Sequence, residues 1–261
     1  MILMKPTEQK ERVRSVFTQS ADSYVQHKGD ADRASHEAML RLSRVQPSDR
    51  VLDIGCGPGF VTLLFAERAR EVIGLDLTPA LLERARQRQE ERGLKNVQFI
   101  EGDAERLPFP DGSFTLVVSH KALHHFANPQ RILAEAYRVL KPHGRLLLGD
   151  TISSDDSVKS NVHNEIERLR DPSHVKMYGL RELRELVSSA GFRVTECEVL
   201  EDERTFDWWM SVITPPPEVI ARIRQTLLES LSDDKTGLAP RLDGERLWLK
   251  RRAAVLAAVR R

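Results

Sequence analysis

The sequence predicts a doubly wound α/β fold, and three observations carry that prediction. From residue 51 onward short β-rich runs alternate with helical stretches. Three glycines follow the first apolar run directly, in VLDIGCGPGFV, and successive runs end in an aspartate. Short strands separated by helices of this kind imply parallel pairing through crossover helices, since parallel neighbours cannot be joined by a tight turn.

Ahead of the sheet, ERVRSVF and HEAMLRLSRV place apolar residues at helical spacing, so one or two helices are expected in a lid or packing segment over residues 1–48. RVLDIG is then a strand, FVTLLFAERA a helix, EVIGLDL a strand, PALLERARQRQEERG a glycine-ended helix and VQFIEGDA a strand. SFTLVVSH, QRILAEAYRVLK and GRLLLGDT continue as strand, helix and strand, and NVHNEIERLR, LRELRELVSSAG and FRVTECEVL as two helices and a strand. Residues 49–200 thus form the core. The polar residues from about 152 to 178 are expected to lie over its ligand-binding edge. Residues 201–261 complete the same domain. They begin with a second insertion, TFDWWMSVITPPPEVIARIRQTLLESL, whose triple proline bars regular structure before a helix starts. The tail LWLKRRAAVLAAVRR stays open between a helix, favoured by its alanines, and a closing strand, which would suit the architecture.

Composition removes several function classes. Forty Lys+Arg against 39 Asp+Glu leave a net charge of +1, so no global field favours nucleic acid or an anionic membrane. The first twenty residues are charged without an apolar stretch, and AAVLAAV is too short to span a bilayer. A cytoplasmic chain with no nucleic-acid and no membrane partner is expected. Cys56 and Cys197 lack CxxC spacing, which fits a reducing compartment and supplies no disulfide scaffold.

In an open α/β sheet the ligand sits at the carboxyl ends of the strands, beside the first βα turn. Gly55 and Gly57 in that turn let a ligand approach the main chain. The dinucleotide fingerprint needs glycine where Phe60 stands, which disfavours an NAD-dependent oxidoreductase, and no lysine follows to make a P-loop. Asp53, Asp76 and Asp103 end three consecutive strands and project toward one crevice. At Asp76 a carboxylate can accept both hydroxyls of a ribose, and at Asp103 the exocyclic amine of an adenine. Each acid taken alone is also explained as a helix cap or a solvated strand end.

VLDIGCGPG, VIGLDLTPALLERAR, VQFIEGDAERLPFPDGSFTLVVSHKALHHFANP and EAYRVLKPHGRLLLGD, in that order, resemble the motifs of class I S-adenosylmethionine-dependent methyltransferases. The resemblance runs from about residue 20 to 195 and is to the type 11 group, which includes the ubiquinone/menaquinone C-methyltransferases. It implies a Rossmann-like, mostly parallel seven-stranded sheet with N-terminal helices and helical insertions over the acceptor side. It further implies S-adenosyl-L-methionine as cofactor, a small-molecule acceptor and O- or C-methylation by in-line displacement. By the same resemblance Asp53, Gly55, Gly57 and Gly59 hold the methionine part, Asp76 the ribose, and Leu77 one adenine face. Asp103 and Ala104 meet the adenine amine and ring, Ser119 or His120 lies near the methionine or sulfonium, and Tyr24 of SADSYVQH covers the cofactor. A non-catalytic adenosine-ligand or RNA-binding protein is the alternative from another class, and the RNA version is disfavoured by the balanced charge.

HKALHHF sets His120, His124 and His125 after the fourth strand. Two are spaced i, i+4, but Lys121 stands where HExxH needs Glu, so no metal is expected. His124 is the candidate proton-transfer residue facing the acceptor, with His125 packed inward. NEIERLRDPSHV, residues 164 to 175, resembles a motif of a subgroup of bacterial small-molecule methyltransferases of unassigned substrate. It is read either as an acceptor lid, with Arg170 or His174 facing the site, or as a helix stop at Asp171 and Pro172. Trp208, Trp209 and Met210 are read as core or as a contact between two copies of the chain in preference to an aromatic acceptor wall, which leaves a homodimer open.

Overall fold

The protein's structure, a computed structural model, describes residues 6–28 and 32–261; the remainder of the N-terminal 1–48 segment lies outside the described residues. Three helices precede the sheet: α1 (Pro6–Gln19), α2 (Ala21–Lys28) and α3 (Arg33–Ser43). The core follows as β1 (Arg50–Ile54), α4 (Phe60–Ala66), β2 (Glu71–Asp76), α5 (Pro79–Glu91), β3 (Val97–Glu101), β4 (Phe114–His120), α6 (Pro129–Val139) and β5 (Leu140–Ile152). Next come α7 (Ser157–Arg170), α8 (Leu180–Ser189), β6 (Phe192–Thr205), α9 (Phe206–Val212), α10 (Pro217–Glu229), β7 (Arg241–Asp243) and β8 (Arg246–Arg260).

The strands line up as β3-β2-β1-β4-β5-β8-β6, with the short β7 paired on β8. Pairs from β3 to β5 are parallel, and β8 lies antiparallel between β5 and β6. Strand order therefore reverses between β1 and β4, which opens a crevice at their carboxyl ends. The tail is a strand because its AAVLAAV run fills the slot between β5 and β6 and is mostly buried there, a tertiary placement that overrides the helical preference of alanine. No helix joins β3 to β4, where the chain crosses from the sheet edge to its centre through residues 102–113.

Helices cover both faces, so the parallel strands read as continuous apolar runs. Leu52 and Ile54 pack with Ile132, Leu133 and Ala136 of α6 and with Leu183 and Val187 of α8. Val51 packs on the other face with Ala38 and Met39 of α3 and Phe65 of α4. Local caps set the helix starts: Asn128 accepts from the Arg131 amide, and Asp156 from the amides of Val158 and Lys159. Among the described residues no helix is long and apolar enough to cross a membrane.

At the end of the sheet remote from the crevice, Asp49 locks three strands together. Its carboxylate accepts two bonds from Arg145 Nη2 at 2.6 Å, one from Thr115 Oγ1 at 2.7 Å and one from the Gln46 amide at 2.7 Å. Burial pushes this carboxyl up, but the Gln46 amide, Arg145 and Thr115 together hold it below the ordinary range. Its contribution to stability is therefore present above the usual aspartate pKa and lost as pH falls through the depressed one. Asp49→Ala is expected to cost about 3 kcal/mol in urea unfolding, the low end for a broken buried ion pair, because Arg145 keeps 26% of its side chain exposed. The difference from the parent protein should shrink only below about pH 4, as the pH falls through the depressed pKa.

Candidate active site

The first βα turn is shaped by hydrogen bonds to the tip of β2. The amides of Gly55 and Cys56 both donate to the Leu75 carbonyl, at 2.8 and 3.1 Å, and the Gly57 amide donates to Asp76 Oδ2 at 2.8 Å. Asp76 Oδ1 accepts from the Thr78 amide at 2.8 Å. Gly55, Gly57 and Gly59 all have positive φ, the region that favours glycine. At the tip of β1, Thr62 Oγ1 donates to Asp53 Oδ2 at 2.6 Å, while Asp53 Oδ1 is buried without a partner. Burial, with the charge of Asp76 added and Thr62 opposing, pushes the Asp53 carboxyl up to about 7. Burial likewise raises Asp76 above the ordinary range, against the bonds from Gly57 and Thr78.

These tips form one wall of a cleft whose empty space, counted to its open mouth, is about 1060 Å³. Of the residues singled out in the sequence, Asp53, Gly55, Gly57, Asp76 and Leu77 line it, as do Asp103, Ala104, His120 and Tyr24. Gly59 and Ser119 do not. A Cβ at Gly59 would meet Phe99 and Ala85, and Ser119 Oγ donates to the Ile54 carbonyl at 2.8 Å. Asp103 Oδ2 accepts from Lys10 Nζ at 2.9 Å, and Lys10 also reaches Glu105 at 2.9 Å.

The roof of the cleft is α1, the helix expected from ERVRSVF, and its Gln9, Lys10, Val13 and Phe17 line the cavity. Gln9 is 2% exposed; its amide nitrogen donates to the carbonyls of His125 at 3.0 Å and Ser173 at 2.6 Å, which leaves its buried oxygen unpartnered. Helical spacing signals the helix but not which of its faces meets a cavity. Desolvation and then Asp32 and Asp76 push the Tyr24 phenol well above its ordinary range, and its ring meets Phe17 edge-on at 5.5 Å. Burial drives His120 well below its usual pKa, and its Nε2 meets Ser35 Oγ at 2.8 Å. Donor atoms of Asp32, His36 and His120 lie within 4.8 Å of one another, and the Lys121 ammonium is paired with Asp32.

A second cavity of about 540 Å³ shares Phe17, Tyr24, Lys121 and His125 with the first. Its remaining walls come from α7, the loop after it, α9 with Ile213, β8, Thr151 of β5 and the segment after β4. His124 stands here: its Nδ1 meets Asp150 Oδ1 at 2.6 Å, and its amide donates to Asp150 Oδ2 at 3.1 Å. Asp150 is 3% exposed; burial pushes its carboxyl up, but His124 and the Thr151 amide hold it below the ordinary range. An ionised Asp150 accepts a hydrogen bond from the Nδ1–H, which keeps that proton on Nδ1 and leaves Nε2 as the basic nitrogen. His125 is buried yet borders both cavities. It bonds the Ser173 carbonyl at 3.1 Å through Nδ1, and burial followed by the neighbouring His124 brings its pKa down to about 4. Arg170 and His174 both line this cavity, and Asp171 caps the end of α7 as the helix-stop reading expects. Trp209 is core at 1% exposure and a cavity wall as well. Asp150 is a partner not singled out in the sequence; it closes the apolar run LLLGD two residues before the end of β5, the same signal that marks the other three acids.

The family described as a methyltransferase domain matches residues 52–148. The chain is 35% identical over 194 residues to an uncharacterized methyltransferase, YcgJ, of Bacillus subtilis strain 168, across 74% of this chain and 77% of that one. It is 31% identical over 207 residues to a demethylmenaquinone methyltransferase of Listeria welshimeri, across 70% of this chain and 88% of the other. The crystal structure of the B. subtilis protein superposes with a TM-score of 0.83 at 31% identity, covering 88% of this chain and 99% of that chain.

Gly55 is the tightest point of the turn: its φ is +69°, and a Cβ there would sit 2.6 Å from the Ala122 Cβ. Gly93 has φ +63° with nothing within 4 Å. Gly93→Ala is expected to cost about 1–2 kcal/mol in thermal unfolding, the backbone cost alone. Gly55→Ala should cost roughly 2–4 kcal/mol, because the chain after β4 must also move. Equal losses would mean that Ala122 gives way freely.

Proposed function

This chain belongs to the class I S-adenosylmethionine-dependent methyltransferases, and on that premise we propose that it methylates a small molecule at oxygen or carbon, with His124 taking the acceptor's proton. The oxidoreductase and non-catalytic alternatives fall with the family. The observation that carries the acceptor half of the reading is the His124–Asp150 pair on the wall of a cavity adjoining the cofactor cleft.

The cleft suits S-adenosylmethionine on its own chemistry. The buried polar atoms without a partner on its walls are Asp53 Oδ1, Gln9 Oε1 and Thr78 Oγ1. All three can accept hydrogen bonds, and the cofactor brings an ammonium, two hydroxyls and an amine. We assign Asp53 and the glycine turn to the methionine part, Asp76 to the ribose, Leu77 and Ala104 to the adenine faces and Asp103 to its amine. Tyr24 and His120 stand beside the methionine end. When bound, the cofactor supplies a sulfonium methyl for in-line displacement, with a neutral thioether as leaving group. The protein orients the two partners, excludes water and removes one proton. His124 Nε2 accepts that proton from the acceptor's O–H or C–H, the freed electron pair forms the bond to the methyl carbon, and Asp150 stabilises the imidazolium.

Incubation of metabolite extract with the protein and isotopically labelled methyl donor, followed by mass spectrometry, should show one or a few small labelled products. Label appearing only in protein or nucleic acid would refute the reading. With the product's precursor in hand, His124→Gln should lower kcat about 100-fold or more, the usual worth of a general base. S-adenosylhomocysteine affinity should stay within about twofold, as His124 lies outside the cofactor cleft. The cofactor side has its own test. With an Asp53 pKa of about 7, protonation below that value removes the charge facing the ammonium. Affinity for S-adenosylhomocysteine by calorimetry should therefore rise about tenfold between roughly pH 6 and pH 8. Asp53→Asn should flatten that dependence; a flat profile in the parent protein would contradict the assignment.

A further inference from the structure

We propose that the methyl acceptor carries a permanent oxyanion, a carboxylate or a phosphate, seated against Arg170, Trp209 and Arg251 in the second cavity. The inference rests on the reading that this cavity takes the acceptor. Three residues that line it each carry a buried polar atom without a partner, and all three atoms are N–H donors: Arg170 Nη1, Trp209 Nε1 and Arg251 Nε. They come from three separate elements, α7, α9 and β8. No buried side-chain acceptor on the described walls is left unpartnered. Buried N–H groups without partners are unfavourable, and the complementary ligand is rich in lone pairs and poor in hydrogens. An oxyanion meets that description, and a guanidinium adds charge to the bond.

Local structure holds these donors in place. Arg170 Nε and Nη2 both bond Glu167 Oε2, at 2.9 and 2.7 Å, and its guanidinium lies 5.1 Å from the centre of the Trp209 ring. Arg251 Nη2 is fixed on Asp202 at 2.6 Å. The wall's carboxylates have partners: Glu167 holds Arg170, and Asp171 Oδ1 accepts from the Ser173 amide at 2.8 Å and its hydroxyl at 2.6 Å. Asn164 braces the following loop, accepting from the Met177 amide at 2.7 Å and from His174 Nε2 at 2.9 Å. The polar members of the 164 to 175 motif thus hold Arg170 and its loop rigidly, as an anion anchor requires. The anchored group is not the one methylated: it sits on Arg170, whereas the proton leaves toward His124. It therefore keeps its charge in the product.

The test fractionates the labelled products of the extract incubation. Label retained on an anion exchanger at neutral pH supports the proposal. Label in the unretained or neutral organic fraction overturns it while leaving the methyltransferase reading intact. No labelled small molecule at all overturns that reading, and the anion proposal with it. Phosphatase treatment separates the two sources: retention lost points to phosphate, retention kept to carboxylate. With the purified acceptor, Trp209→Phe removes one N–H at little cost in shape and should raise KM about tenfold, and Arg170→Gln about 100-fold. In both, kcat and S-adenosylhomocysteine affinity should hold within about threefold, a split that mere unfolding does not produce. Unchanged KM in Trp209→Phe and Arg170→Gln would overturn the assignment.

Discussion

Two carboxylates buried side by side impose the constraint on which the rest of the site depends. Asp53 and Asp76 end neighbouring strands, 1% and 8% exposed, and each raises the energy of ionising the other or adds to what burial already costs. Dehydrated like charges persist only where donors compensate them. The fold supplies those donors from the main chain: Gly57 and Thr78 amides for Asp76, and a threonine hydroxyl for Asp53. Aiming the Gly57 amide back at β2 requires a turn with positive φ at three positions, so the glycines follow from the acids. One oxygen of Asp53 stays unpaired, and that remainder is what a cationic ligand can complete.

The adjoining cavities are opposites in hydrogen-bonding sense. Unpaired acceptors line the first and unpaired donors the second, with Phe17 and Tyr24 common to both walls. On the proposed function, opposite linings suit a positive electrophile on one side and an electron-rich acceptor on the other. Burial lowers the pKa of His120 and His125, so at neutral pH neither puts an imidazolium on the shared walls.

The parallel core was legible in the sequence because buried parallel strands are apolar on both faces and their crossover helices amphipathic. The strand-tip rule located Asp53, Asp76 and Asp103, and applied once more it would have reached Asp150. Other features depend on contacts that no local pattern records. The AAVLAAV tail is a strand only because two other strands flank it. α2, which carries Tyr24, is a short polar helix whose residues show little periodicity. Gly59 belongs to the glycine run yet faces Phe99 and Ala85, and Ser119 turns to its neighbour strand's carbonyl. Both follow from pleat and turn geometry, in which adjacent positions face opposite ways. Gln9 was harder still, because what marks it is a polar atom left without a partner.

The roof helix α1 joins the two cavities physically. Lys10 holds Asp103 and Glu105 at the strand tips, while Gln9, one residue earlier, holds the carbonyls of His125 and Ser173 beside the second cavity. Its outer tie, Arg14 to Glu101, is an exposed ion pair with both side chains about half in water, the class that contributes little. Its apolar anchorage is small: Phe17 belongs to a cluster with Ala21 and Leu81, against which Val13 and Tyr24 pack. An element held by a few polar bonds and one small cluster opens at far lower free energy than the sheet beneath it. One helix is thus tied at once to the strand tips of the first cavity and to the loops beside the second.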